Sequence, residues 1–285
     1  MKIPPSRYIL PNLFTLGATF CGVAMIWLAA QATTAQDFYV AASLLPLALL
    51  LDGFDGRVAR WVQGQSKFGV QMDSLSDFLT FGVAPAFLVY FWGLQQLGLW
   101  GLLTVFVFAA GAMVRLARFN VQAEEDGGAS AYFTGLPAPM AGMAAGGLVA
   151  VHAGVLGHEA LDPKLLPFVV VFMVGFAVLM VSEVPFRTFK DVSMTRSLRF
   201  GLALSVTVVV GLALATDWMA ALSVMLFFYV LTGLASSVLR RRRQIAMARR
   251  AVLVGGAEPL LDDEEVFEDE LGVFEGEDDE LGPRS

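Results

Sequence analysis

The chain reads as an all-α protein, a polytopic membrane helix bundle of about eight transmembrane helices with both termini in the cytoplasm. Three observations lead there. Of its 285 residues, 56% are hydrophobic, and the mean hydropathy of +0.66 is far above that of soluble domains. The apolar residues gather into runs of span length joined by short polar connections. The cations of those connections fall on alternate turns of the chain, the pattern that fixes orientation through the positive-inside rule.

The first run, Leu13 to Ala30, follows Lys2 and Arg7. Ala30-Gln31-Ala32 resembles a cleavage site, but about 18 residues exceed a signal-peptide core and match a span, so a retained helix is expected. The second span runs from Phe38 to Val58, and Pro46 within it is expected to bend it. Further spans are predicted at Phe68 to Gly93, Leu97 to Ala117, Leu136 to Leu156, Leu165 to Val184, Phe200 to Ala215 and Trp218 to Leu239. In the fifth, Gly142 and Gly146 form a small-xxx-small face suited to close helix contact, either within the chain or between two copies. With the N-terminus inside, Lys2, Arg7, Arg57, Arg60, Lys67, Arg115, Arg118, Arg187, Lys190, Arg196, Arg199 and Arg240 to Arg243 share one side. Only Lys164 falls on the other.

Three segments are expected: a transmembrane catalytic domain over 1–239, a basic juxtamembrane segment over 240–256 and an acidic, disordered tail over 257–285. The net charge of −7 comes from that tail, which holds 13 of the 26 acids between Glu258 and Glu280. Ahead of it cations outnumber acids. Arg240 to Arg243, Arg249 and Arg250 suit anionic lipid headgroups, and no nucleic-acid partner is expected. A single cysteine, Cys21, excludes an intramolecular disulfide and a cysteine metal cluster. His152 and His158 flank a predicted loop without an acidic neighbour, so no ligand role is expected of them.

The chemistry is concentrated between Asp52 and Asp77. On a helix Asp52, Asp55, Gly56, Ala59 and Arg60 share one face, and Asp73 and Asp77 share a face of the next. A polar turn from Gln63 to Lys67 joins the two as an antiparallel pair, which turns these faces toward each other. Four carboxylates at the margin of a span require a compensating cation. An oxygen-only cage suits Mg²⁺ or Mn²⁺, as one or two ions. Gly56 and Gly69 leave room for a phosphate or nucleotide to approach the backbone. The plainer alternative is capping carboxylates with a salt bridge to Arg57 or Arg60. A cation-coupled transporter is a further alternative, although such sites usually lie near the bilayer midplane.

Read together, Asp52, Asp55, Gly56, Ala59, Arg60, Gly69, Asp73 and Asp77 fill D-x2-D-G-x2-A-R-x8-G-x3-D-x3-D. This resembles the signature of the CDP-alcohol phosphatidyltransferase family. The resemblance implies transfer of a phosphatidyl group from CDP-diacylglycerol to an alcohol, with release of CMP. It makes Asp52, Asp55, Asp73 and Asp77 metal ligands, and Asp77 also the catalytic base. It also implies that Gly56, Arg60 and Ser66 contact the CDP-diacylglycerol headgroup, with Asn12 a further candidate for the nucleotide.

Phe81 to Pro85, Met113 to Asn120 and Phe133 to Pro139 resemble segments of the branch of that family that uses L-serine. Arg115, Arg118 and Asn120 are accordingly expected to bind the acceptor, the cations holding its carboxylate. Glycerol 3-phosphate, inositol phosphate and choline are the alternative acceptors. The protein is expected in the inner (plasma) membrane of the cell, multi-pass, with its active site on the cytoplasmic side that the cation distribution defines, and the resemblance implies a homodimer.

Overall fold

The computed structural model describes residues 9–62, 66–125, 132–157, 161–182 and 185–187, all within the compact unit Met1–Ser237. Helix α1 (Ile9–Gln31) tolerates Pro11 because the first-turn amides lack intrahelical partners in any case. Helix α2 (Ala35–Trp61) opens on a capping box. The Thr34 hydroxyl accepts from the Asp37 amide at 3.3 Å, and the Asp37 carboxylate accepts from the Thr34 amide at 2.9 Å. The helix continues unbroken through the buried Pro46.

Helix α3 (Lys67–Asp77) starts at Ser66, whose hydroxyl accepts from the Gly69 amide at 3.0 Å. It leads into a π-helical turn over Phe78–Val83 and then into α4 (Ala84–Trp92). Pro85 explains the turn. It has no amide for the i→i−4 bond to Phe81, and the ladder adapts by bonding the Ala84 amide to the Leu79 carbonyl. Helix α5 (Leu99–Glu125) follows. Then come α6 (Ala138–Ala150), extended by a π turn over Val151–Val155, and α7 (Leu166–Val181).

Among the described residues, five helical stretches are long and apolar enough to cross a membrane: Ile9–Gln31, Ala35–Trp61, Lys67–Trp92, Leu99–Ala123 and Pro163–Val181. A shorter apolar helix covers Ala138–Gly154. Each of the first six predicted spans thus coincides with a helix. The predicted spans Phe200 to Ala215 and Trp218 to Leu239, the segments 240–256 and 257–285, His158, Lys190, Arg196 and Arg199 lie outside the described residues. Phe20, Trp27, Phe106, Phe168 and Val171 are exposed on the outer faces of their helices, an arrangement that suits lipid rather than water.

The π turn is where the helices close on one another. A Cβ on Gly22 of α1 would sit 3.1 Å from Thr80 Cα, and one on Gly142 of α6 would sit 2.6 Å from the Phe81 carbonyl oxygen. On the turn itself, Gly82 meets Ala112 of α5, where an added Cβ would stand 2.9 Å from the alanine Cβ. Gly146 packs against Leu45 of α2. The small face of Gly142 and Gly146 is therefore occupied inside the chain. Phe81, Leu45, Leu88 and Met173 fill the surrounding core.

Three details differ from the sequence reading. Helix α5 continues past Ala117 to Glu125, because no breaker occurs before Gly127-Gly128 and Arg118, Gln122, Ala123, Glu124 and Glu125 favour helix. His152 lies within the helical π turn, buried, with its ring 5.0 Å from that of Trp92, rather than at a loop. A short antiparallel pairing, β1 (Tyr132–Thr134) with β2 (Pro185–Arg187), joins the connections that follow α5 and α7. Next to it, Gly135 has φ +82° and abuts the Met180 and Ser182 carbonyls, a conformation and a clearance that admit only glycine. The Leu136 amide then donates to the Leu179 carbonyl at 3.0 Å, so the Phe133 to Pro139 segment docks the start of α6 on the end of α7.

Candidate active site

Helices α2 and α3 bring the four aspartates together. Asp52, Asp55 and Asp73 each place a carboxylate oxygen within 4.8 Å of the others. Asp77 lies one turn beyond Asp73 on the same face of α3. Asp55 is buried, and its Oδ2 accepts the Thr15 hydroxyl proton at 2.7 Å. Asp73 Oδ1 and Asp77 Oδ1 are buried and have no hydrogen-bond partner.

Two carboxylates 4 Å apart repel by roughly 4 kcal/mol at an effective dielectric of about 20, so four of them this close require a positive partner. Nor do the acids serve as caps, because Thr34 and Ser66 cap α2 and α3. Arg57 and Arg60 are exposed. An all-oxygen donor set with two orphaned buried oxygens fits a hard divalent cation.

Residues predicted for the nucleotide divide into two places. A Cβ on Gly69 would stand 3.2 Å from Ser66 Oγ and 3.6 Å from Asn12 Oδ1, so Asn12, Ser66 and Gly69 converge where α1 meets the start of α3. Gly56 lies on α2 one residue beyond Asp55, exposed, and a Cβ there would meet nothing within 4 Å. Arg60 is exposed one turn further along.

Residues predicted for the acceptor are not brought together. Arg115 is only 8% exposed and packs over the Phe119 ring at 5.3 Å, while its Nε has no hydrogen-bond partner. Arg118 instead donates to the Val181 carbonyl at 3.1 Å and ties α5 to α7. The Asn120 side chain exchanges hydrogen bonds with the Ser74 hydroxyl, its amide donating at 2.9 Å, and ties α5 to α3. Residues 115, 118 and 120 diverge because the helix does not end at Ala117, and three and five positions along a helix point to different neighbours.

A further set of polar residues escaped the sequence reading. Thr15 and Thr19 lie on the α1 face that meets α2 and α3, and Thr19 Oγ1 is 2.8 Å from Ser76 Oγ. Ser76 in turn donates to the Thr15 carbonyl at 3.1 Å, and Thr80 to the Ala18 carbonyl at 3.2 Å. The spacing Asn12, Thr15, Thr19, Gly22 is a helical stripe and was visible in the sequence.

The model of the CDP-alcohol phosphatidyltransferase family matches residues 8–229. The chain belongs to that family. Within it, the chain is similar to the CDP-diacylglycerol–serine O-phosphatidyltransferase of Helicobacter pylori, 34% identical over 235 residues, which cover 82% of this chain and 92% of the relative. It is also similar to the proteins of that name from Bacillus subtilis and Mycobacterium tuberculosis. The first is 31% identical over 181 residues, covering 64% of this chain and 91% of the relative. The second is 33% identical over 191 residues, covering 65% and 63%.

Proposed function

We propose that this chain transfers the phosphatidyl group of CDP-diacylglycerol to the hydroxyl of L-serine, giving phosphatidylserine and CMP. The observation that carries the reading is the meeting of carboxylates from α2 and α3, with Asp52, Asp55 and Asp73 within 4.8 Å of one another and Asp77 one turn further along α3.

Asp52, Asp55, Asp73 and Asp77 would hold one or two Mg²⁺ or Mn²⁺ ions, which when bound neutralise the pyrophosphate and favour departure of CMP. The remaining work belongs to the chain's own side chains. Asn12, Ser66 and Gly69 receive the nucleotide, and the open surface at Gly56 leaves space for phosphate against α2. Arg60 approaches the phosphates from the exposed end of the same face. Asp77 accepts the serine hydroxyl proton as the serine Oγ attacks the phosphorus that carries diacylglycerol. The bond from that phosphorus to the bridging oxygen breaks, and CMP departs with that oxygen. Arg115, buried with an unfilled donor, holds the serine carboxylate beside the base.

The diacylglycerol tails leave between the helices into the bilayer, which accounts for a nucleotide-using site on membrane helices. We place the site at the cytoplasmic face of the inner (plasma) membrane, on the strength of the cation distribution in the sequence. A homodimer is kept as part of this reading on family resemblance alone. The test is CMP release from CDP-diacylglycerol by purified protein with Mg²⁺ or Mn²⁺, against serine, glycerol 3-phosphate, inositol phosphate, inositol and choline. Stimulation by serine alone is expected; stimulation by another alcohol instead would overturn the acceptor assignment.

A further inference from the structure

Asp55, 7% exposed, has a fixed hydrogen-bond partner that is neutral. Thr15, 3% exposed, stands with Oγ1 2.7 Å from Asp55 Oδ2 and 3.4 Å from the Pro11 carbonyl oxygen. A hydroxyl has one proton to give, and the shorter contact to a charged acceptor takes it. The Thr15 hydroxyl is therefore committed to Asp55.

The backbone of the same residue reaches the other acidic helix. The Thr15 carbonyl accepts from Ser76, which lies between Asp73 and Asp77, at 3.1 Å, and Ser76 Oγ in turn lies 2.8 Å from Thr19 Oγ1. One residue of α1 is thus bonded to α2 through its side chain and to α3 through its carbonyl.

We infer that Thr15 is a positioning residue for the acidic cluster, its hydroxyl fixing the plane of the Asp55 carboxylate so that Oδ1 is presented to a divalent cation. The inference rests on the metal-holding role proposed above. The terminal torsion of an aspartate is broad, so a carboxylate with no fixed partner turns freely about its last bond. A donor on one oxygen removes that freedom. The neutrality of the donor is the second part of the argument, because an Arg or Lys in its place would compete with the cation for the same negative charge. Threonine orients the carboxylate and leaves the charge of the cluster intact. Partners of this kind behind a metal ligand typically govern affinity by 10- to 100-fold.

The test is Mn²⁺ binding to purified protein in detergent, followed by the electron paramagnetic resonance of free Mn²⁺, with thermal unfolding measured on the same samples. Thr15→Val keeps the shape and removes the donor, and it is expected to raise the half-saturating Mn²⁺ concentration about 10-fold or more. Thr15→Ser restores the donor and is expected to bind within about threefold of wild type. Thr19→Val breaks the link to Ser76 without touching Asp55. It is expected to change the unfolding temperature and not the Mn²⁺ affinity. Equal affinity in wild type and Thr15→Val would overturn the inference, as would Thr15→Ser binding as weakly as Thr15→Val. Should Thr15→Val not fold, the serine variant decides alone. No saturable binding by wild type would instead overturn the metal-holding reading, and with it this inference.

Discussion

Gly56 separates the needs of the fold from those of the substrate. It lies within α2, exposed, and a Cβ built there meets no atom of the protein within 4 Å. Replacing it with alanine therefore removes nothing from the folded state. Glycine inside a helix costs about 0.5–1 kcal/mol relative to alanine, so Gly56→Ala is expected to leave the unfolding temperature unchanged or slightly raised. If the open surface beside Asp55 receives phosphate, the new methyl group displaces the substrate by about 1 Å. A displacement of that size at a reacting centre costs on the order of 10²-fold in rate. The assay is CMP release over a range of CDP-diacylglycerol in mixed micelles, with thermal unfolding run in parallel. A stable protein with kcat/KM reduced about 100-fold is predicted. Wild-type kinetics in a stable Gly56→Ala protein would refute the placement of phosphate on this face.

The other predictions concern the base, the packing and the acceptor. Asp77→Asn keeps the size of the side chain and removes its basicity; turnover is expected to be lost while CDP-diacylglycerol binding, followed by calorimetry, stays within a few-fold of wild type. Gly142→Ala drives a Cβ to 2.6 Å from the Phe81 carbonyl oxygen and should destabilise the protein by about 1–3 kcal/mol. Gly175→Ala, with nothing within 4 Å, should not destabilise, so equal unfolding temperatures for the two variants would refute the close packing at the π turn. Arg115→Lys is expected to raise the KM for serine with little change in that for CDP-diacylglycerol, because a point charge replaces a planar fork. Arg118→Ala should instead lower stability by about 0.5–1.5 kcal/mol through the lost bond to Val181, leaving the serine KM unaltered.

The carboxylate pair of faces was legible in the sequence because it depends on local periodicity alone. Asp52 with Asp55, and Asp73 with Asp77, are fixed by the 3.6-residue repeat, and the polar turn between them permits only an antiparallel return. Six apolar runs were legible for the same reason. The ends of helices were less so: α5 was expected to stop at Ala117 with the end of its apolar run, whereas the helix continues in polar residues with high helix propensity. That difference changed the site, since it sends Arg118 to α7 and Asn120 to α3. Long-range partners were not legible at all. Nothing near Thr15 in the sequence names Asp55, 40 residues away, as its acceptor. Likewise Gly142 and Gly146 announced close packing, but only the fold identifies Phe81 and Leu45 as the partners.

The central claim is that the serine hydroxyl oxygen attacks the phosphorus bearing diacylglycerol, and isotopic labelling of that oxygen tests it most directly. Purified protein would be given CDP-diacylglycerol, a divalent cation and serine carrying ¹⁸O in its side chain, and both products would be weighed by mass spectrometry. Phosphatidylserine retaining the ¹⁸O together with unlabelled CMP is the predicted result. Label in CMP, or phosphatidylserine without it, would contradict the account.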